Sequence, residues 1–425
     1  MSDYESVDYF TDMSLVPDPY PYFDHLRAKC PVQQATPYGV VAVTGHQEAL
    51  AAYKDPAMSS CVAVAGPFPP LPFTPEGDDI SAQIEEHRAT IPMAEHVVTM
   101  DAEAHQKTRG LLSKLITPKR LSENEDFMWR LVDQRLDKII GRGACEFTED
   151  FAKPLAMLVI ADLLGVPTED HQEFKTIFGN EPLGEIEGTQ GETVAHNPLL
   201  FLDEKFTAYI SDRRREPRSD VLTELAAATY SDGSVPDVDE VVKLATFLFA
   251  AGTDTTTKLV STAMRVLGER PDIQQALRDN RDQIPAFLEE CLRMESPVKS
   301  HFRLARTTTT IGDVEVPAGT ILMMLPGASN RDPRKFDEPN EFRHDRKNVR
   351  EHVAFARGPH SCPGAPLARA EARIAMNRIL DRMANIRISE EMHGPAGDRK
   401  YEYEPTFIMR GLTALHVEFD SIPDA

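Results

Sequence analysis

Phe355, Gly358, His360, Cys362 and Gly364 stand within one ten-residue stretch, and the cysteine is the member with most chemistry to offer. Downstream, Leu367 to Met383 carries alanines, arginines and spaced Leu, Ile and Met residues, a pattern that predicts a helix. Cys362 thus sits where a loop built on Gly358, Pro359 and Gly364 enters a helix. The partial positive charge of a helix N-terminus, with nearby backbone N–H groups, favours a thiolate over a thiol. A thiolate on a short loop is a nucleophile or a metal ligand. As a nucleophile it needs a base, for which His360 is at hand; as a zinc site it has too few neighbouring ligands.

The elements that must position such a group can be read outward from it. Asp237 followed by Glu240 predicts a capped start after Pro236, and the helix runs from Val238 to about Leu267, where Gly268 and Pro271 stop it. At 1.5 Å per residue it spans roughly 45 Å. Phe247, Ala251 and Thr255 share one face, with Ala250 and Asp254 alongside, and Gly252 costs about 1 kcal/mol in a helix interior. Core packing accounts for Phe247 and the alanines. It does not account for the break of glycine, acid and threonines in mid-helix.

Asp101 to Leu115 reads as a helix with His105 and Arg109 on one face. Glu290 and Arg293, at i and i+3, would contribute about 0.3 kcal/mol as a surface pair. Helices are also predicted over 121–140, 151–164, 170–178 and 199–214, and β-structure over 39–43 and 302–325. Thr406 to Gly411 reads as a turn before a short strand at 415–417. Five prolines between Gly66 and Pro75 exclude a helix interior or a central strand, and Phe68, Leu71 and Phe73 favour a lid over a linker. Gly179 to Asn197 reads as a mobile connection.

With 425 residues, 41% of them hydrophobic, the chain can bury a large core. A formal net charge of −22 argues against nucleic acid or anionic membrane as partners. No window approaches the ~20 apolar residues of a membrane span: the most apolar run, Leu244 to Thr253, is flanked by Lys243 and Asp254. No membrane anchor is expected. Met1 to Glu5 lacks the basic region and apolar core of a signal peptide, and five scattered cysteines fit a reducing compartment, so a cytoplasmic location is expected.

The spacing Phe355-x-x-Gly358-x-His360-x-Cys362-x-Gly364 resembles the haem-binding loop of the cytochrome P450 superfamily, and Ala251-Gly252-Thr253-Asp254-Thr255 resembles its oxygen-binding groove. Glu290-x-x-Arg293 is similar to the family's Glu-x-x-Arg pair, with Arg343 or Arg346 as third member. One departure is Ala356, where the family most often has glycine. The resemblance runs from His105 to Arg410. It implies a mainly α fold with small β-sheets (α+β), a single domain over 1–425 shaped as a triangular prism. Its helix-rich core would cover about 100–395, and a smaller β-rich region would come from the N-terminal, 302–325 and 400–418 segments. A long central helix would lie over the haem.

The resemblance further implies haem b, iron protoporphyrin IX, with Cys362 as axial thiolate. Phe355, Gly364, Ala251 and Gly252 would lie against it, and His105, Arg109, Arg303 and His360 would hold its propionates. Asp254 and Thr255 are the implied catalytic pair. Phe247, Ala250, Ala251, Val298, Lys299, Ile408 and Met409 are the implied contacts of a hydrophobic small molecule, with Lys299 and His301 as polar departures. The implied reaction inserts one atom of dioxygen, with electrons from a separate ferredoxin and ferredoxin reductase docking near Lys107, Lys114, Arg357 and Arg369; a monomer is implied. Two alternatives stay open, a peroxide-driven peroxygenase and a haem-based sensor or carrier. The Asp254–Thr255 pair argues for dioxygen activation over the first, and a sensor needs no proton-delivery groups.

Overall fold

Asp237 and Glu240 form a capping box ahead of the helix Val238–Glu269, the Glu240 carboxylate accepting from the Asp237 amide at 2.8 Å. The computed structural model describes residues 4–34, 36–177 and 199–422. In it this helix has 32 residues, about 48 Å of length, and the helices Lys153–Leu164, Leu200–Arg215, Ile284–Met294 and Ala365–Arg382 pack around it. The helix outlasts the sequence expectation by two residues because Gly268 is not a stop. It is buried, and a Cβ there would meet Ile388 at 2.7 Å, so its role is to let the strand Met383–Ile388 approach.

Gly252 is likewise no break. The helix is continuous through it, and a Cβ would stand 3.3 Å from Ile160, so the glycine admits the helix Lys153–Leu164. The hydroxyls of Thr253, Thr255 and Thr257 donate to the carbonyls of Phe249, Ala251 and Thr253 at 2.9, 2.7 and 2.8 Å. Such back-bonding satisfies a hydroxyl inside a helix without interrupting the ladder. The helix predicted from 121 starts earlier, at Pro118, because the Thr117 side chain caps it by accepting from the Arg120 amide at 3.2 Å.

Short strands form a five-stranded sheet in the spatial order Val32–Gln34, Val41–Val43, Ile321–Met324, His301–Ala305 and Met58–Ser59. Only the pair Val41–Val43 with Ile321–Met324 is parallel. His301 lies opposite Met324 and Arg303 opposite Leu322, which fixes where these two side chains leave the sheet. A second core of Tyr9, Phe10, Phe23, Phe302 and Phe407 sits on this sheet. Phe68, from the proline-rich segment, packs edge-on against Phe10 and Phe407 at 5.3 and 5.9 Å. Gly179 to Asn197 lies outside the described residues. Among the described residues no helix is long and apolar enough to cross a membrane.

Candidate active site

Glycine dictates the shape of the loop that Cys362 closes. The Cys362 amide donates to the Phe355 carbonyl at 2.9 Å. Gly358 has φ +74°, and a Cβ there would sit 2.4 Å from the Tyr53 carbonyl oxygen, so no other residue fits. Ala356 also takes a left-handed conformation, φ 52°, at a cost of about 1 kcal/mol for a residue with a Cβ. The helix Ala365–Arg382 begins immediately after Gly364, and the amides of Gly364 and Ala365 point at the sulfur. Cys362 is solvent-accessible, in a recess whose surrounding protein still withdraws much of its hydration. Burial in that recess pushes its thiol up, opposed by the two amides and then by Arg109 and Arg369.

Two carboxylates brace this loop from behind. Glu289 accepts from His352 at 2.9 Å and from Arg369 at 2.5 and 3.0 Å, and the Arg369 guanidinium lies 4.7 Å from the centre of the Phe355 ring. Burial alone would raise the Glu289 carboxyl, but the bonds from His352 and Arg369 outweigh it and hold the group at about 2. Glu290 accepts from Arg293 at 2.7 and 2.8 Å and from Arg346 at 3.2 and 3.3 Å. Arg346 is therefore the third member of that cluster. Arg343 offers Glu290 only its backbone amide, its side chain turning to Glu338. Glu290 and Arg293 are wholly buried, so the pair is a core bracket and not a surface contact.

The four basic residues assigned to an anion clamp come together. The rings of His105 and His360 lie 3.9 Å apart. Arg109 donates to the Ser361 carbonyl and Arg303 to the Phe302 carbonyl, and neither forms an ion pair with a carboxylate among the described residues. Burial, with Arg303, His105 and Arg109 adding to it, pushes His360 down to about 2. Burial and then Arg109 lower His105, whose Nε2 is buried without a partner among the described residues. A cavity of about 180 Å³ opens beside them, lined by Tyr53, Asp101, His105, Arg303 and His360 among others. A positive recess with an unused ring nitrogen fits carboxylates such as haem propionates. Nearby, His301 Nδ1 and the Tyr53 hydroxyl share a hydrogen bond at 2.6 Å; burial and then Arg303 push the ring down to about 3.

On the long helix, Ala251 is exposed although it lies in a central turn, and Phe247, Ala250, Gly252, Asp254 and Thr255 are partly exposed. Thr255 spends its only hydroxyl proton on the Ala251 carbonyl, which leaves its oxygen free to accept. Asp254 is bound by Lys258, which also donates to Glu404 at 2.9 Å. Val298 bridges to Met409, and the Lys299 amide donates to the Ile408 carbonyl at 2.7 Å, so these four expected substrate contacts share one corner. The Lys299 ammonium turns to the N-terminal aromatic cluster, 5.8 Å from the centre of the Tyr9 ring; burial, then Arg410, brings it down to about 7.

Known proteins share this fold. The cytochrome P450 family model matches residues 193–384. Cytochrome P450 144 of Mycobacterium tuberculosis is 33% identical over 382 residues, 88% of this chain and 85% of that protein. The chain belongs to the cytochrome P450 family. The substrate-free structure of Mycobacterium marinum cytochrome P450 CYP150A6 is similar at a TM-score of 0.92 and 60% identity, covering 99% of this chain and 100% of that one. Cytochrome P450 CYP109Q5 from Chondromyces apiculatus is similar at 0.80 and 28% identity, covering 98% and 99%. This cytochrome P450 is thus a haem-thiolate monooxygenase with the family's helix-rich fold.

Several residues of this cytochrome P450 had no signal in the sequence. His96, buried with its ring 5.6 Å from Phe247, comes from a stretch without periodicity. His352 and Glu404 are single polar residues whose partners lie far along the chain, whereas Lys258 could have been found from its i, i+4 spacing to Asp254. Of the basic residues read as a docking patch, Lys107 lies 4.0 Å over the Tyr230 ring, Arg357 donates to the Arg350 and His352 carbonyls, and Arg369 is held by Glu289. The Lys114 side chain lies outside the described residues.

Proposed function

We propose that this cytochrome P450 oxidises an apolar organic molecule at a haem b held by Cys362, with its propionates on His105, Arg109, Arg303 and His360. A separate ferredoxin with its reductase would supply the electrons. The observation that carries this reading is a thiol faced by two amides at a helix start, next to a basic recess whose two arginines have no carboxylate partner among the described residues. When bound, the haem supplies the oxidising chemistry, activation of dioxygen and delivery of one of its atoms. The chain's part is ligation, exclusion of water and proton handling. Phe247, Ala250, Ala251, Val298, Ile408 and Met409 give an apolar lining that orients substrate. Thr255 Oγ accepts a hydrogen bond from a proton-carrying water, and Asp254, its side chain 42% exposed, supplies that water's proton from solvent.

Cys362→His tests the ligand. The ferrous carbon-monoxide Soret band near the wavelength that names the family should disappear, and its persistence would refute ligation by Cys362. Thr255→Ala tests the proton route: electrons should be lost to peroxide in place of product, and unchanged coupling would remove the role given to Thr255. Assays with a surrogate ferredoxin and reductase should give turnover. Product formed only with added hydrogen peroxide would favour the peroxygenase instead.

A further inference from the structure

Lys258 stands out because it is buried, with its side chain only 3% exposed, yet shared by two carboxylates. Its ammonium bonds Asp254, four residues back on the long helix, and Glu404 at 2.9 Å, which arrives from the C-terminal turn. That turn is built to seat the lysine. The Glu404 amide donates to the Gly411 carbonyl at 3.0 Å, closing it, and a Cβ on Gly411 would fall 2.5, 2.7 and 2.9 Å from Lys258 Cγ, Cε and Cδ. Glu404 Oε2 is buried with no partner among the described residues. One cation thus serves two acids, and the second is only half satisfied.

The charge count constrains what this cluster can do. With both carboxylates ionised it carries a net negative charge, and the acid that bears the cost of burial is Glu404, whose side chain is 20% exposed against 42% for Asp254. Burial raises the Glu404 carboxyl and Asp254 adds to the rise, against Lys258 and Lys153. The groups facing Glu404 are therefore Asp254 and Lys258 on the long helix and Lys153 at the start of the helix Lys153–Leu164, with Lys299 beyond. When Glu404 holds a proton, Lys258 is left to Asp254 alone. When Glu404 is ionised, Lys258 has a second anion to follow, and its hold on Asp254 loosens.

We propose that Glu404, acting through Lys258, is a positioning residue that sets how readily Asp254 is protonated. The inference rests on Asp254 as the proton donor of the proposed function. In the step, Asp254 passes its carboxyl proton to water at Thr255, regains one from solvent as a carboxylate, and Lys258 stays neutralised by Glu404 while Asp254 is uncharged. Glu404→Gln removes that counter-charge and leaves Lys258 clamped on ionised Asp254.

The test uses the full-length protein and two readouts. Infrared difference spectra, each protein against its Asp254→Asn counterpart, report the carboxyl band of Asp254 as pH is varied. Its midpoint should fall by about one pH unit in Glu404→Gln, a tenfold smaller protonated fraction, and return in Glu404→Gln/Lys258→Met. In the haem-loaded enzyme, Glu404→Gln should raise the solvent isotope effect on turnover and the peroxide yield while leaving the carbon-monoxide spectrum unchanged. An unshifted Asp254 midpoint in Glu404→Gln would overturn the proposal alone, provided Asp254→Asn itself slows turnover. An Asp254→Asn enzyme with normal coupling and isotope effect would overturn the role of Asp254 and this inference together.

Discussion

Glu289→Gln tests how the cysteine loop is braced. In the folded protein the Glu289 carboxyl is held at about 2 against an ordinary 4.5. At about 1.4 kcal/mol per pH unit that gap corresponds to roughly 3 kcal/mol of stability. Arg369 is 41% exposed, so solvent screens part of its share and about 2–3 kcal/mol is the working figure. The sign follows from a lowered carboxyl: the stability is fully present above pH 4.5 and is lost as the pH falls toward 2. On the two values, about a quarter is gone by pH 4 and more than half by pH 3. Urea unfolding followed by circular dichroism should show Glu289→Gln about 2–3 kcal/mol less stable than wild type at pH 7. The two proteins should converge below pH 4.5. A deficit below about 1 kcal/mol at pH 7, or a gap that stays constant down to pH 3, would refute the account.

Gly358→Ala should destabilise the protein by about 3 kcal/mol or more and empty the haem site, because its Cβ meets a backbone oxygen and its φ is left-handed; thermal unfolding and haem titration read both effects. Ala356→Gly, where only φ is at stake, should be neutral or stabilise by up to about 1 kcal/mol in the same melts. Glu371, buried with Oε1 unpartnered among the described residues, is pushed up by burial to about 8. For an acid with a raised folded pKa the penalty grows from pH 4.5 to 8, by up to about 5 kcal/mol. Glu371→Gln should therefore gain on wild type steadily across that window in urea unfolding, and parallel curves would count against it.

What could be read from the sequence was local. The Cys362 loop, the Asp237 cap and the Glu290–Arg293 spacing are each written within a few residues, and all appear where expected. What could not be read depends on contacts across the chain. His352 reaches Glu289 over 63 residues, Arg369 over 80, and Glu404 reaches Lys258 over 146. Choosing Arg346 over Arg343 needed the turn that aims the two side chains differently. Gly252 and Gly268 misled because propensity treats glycine as a helix breaker, whereas here it makes room for Ile160 and Ile388. Sheet order was equally hidden, since strands of two to five residues carry almost no periodicity.

The Tyr9 hydroxyl donates to the Phe407 carbonyl at 2.9 Å across 398 residues, and Arg410 donates to the carbonyls of Val16 and Pro17 at 3.1 Å each. The first helical turns of the chain are thus stitched to the hairpin carrying Ile408 and Met409. On the substrate contacts proposed for Ile408 and Met409, selectivity is consequently open to changes remote from any residue a ligand touches: trimming or tagging the amino-terminal end would loosen those stitches and let that wall shift.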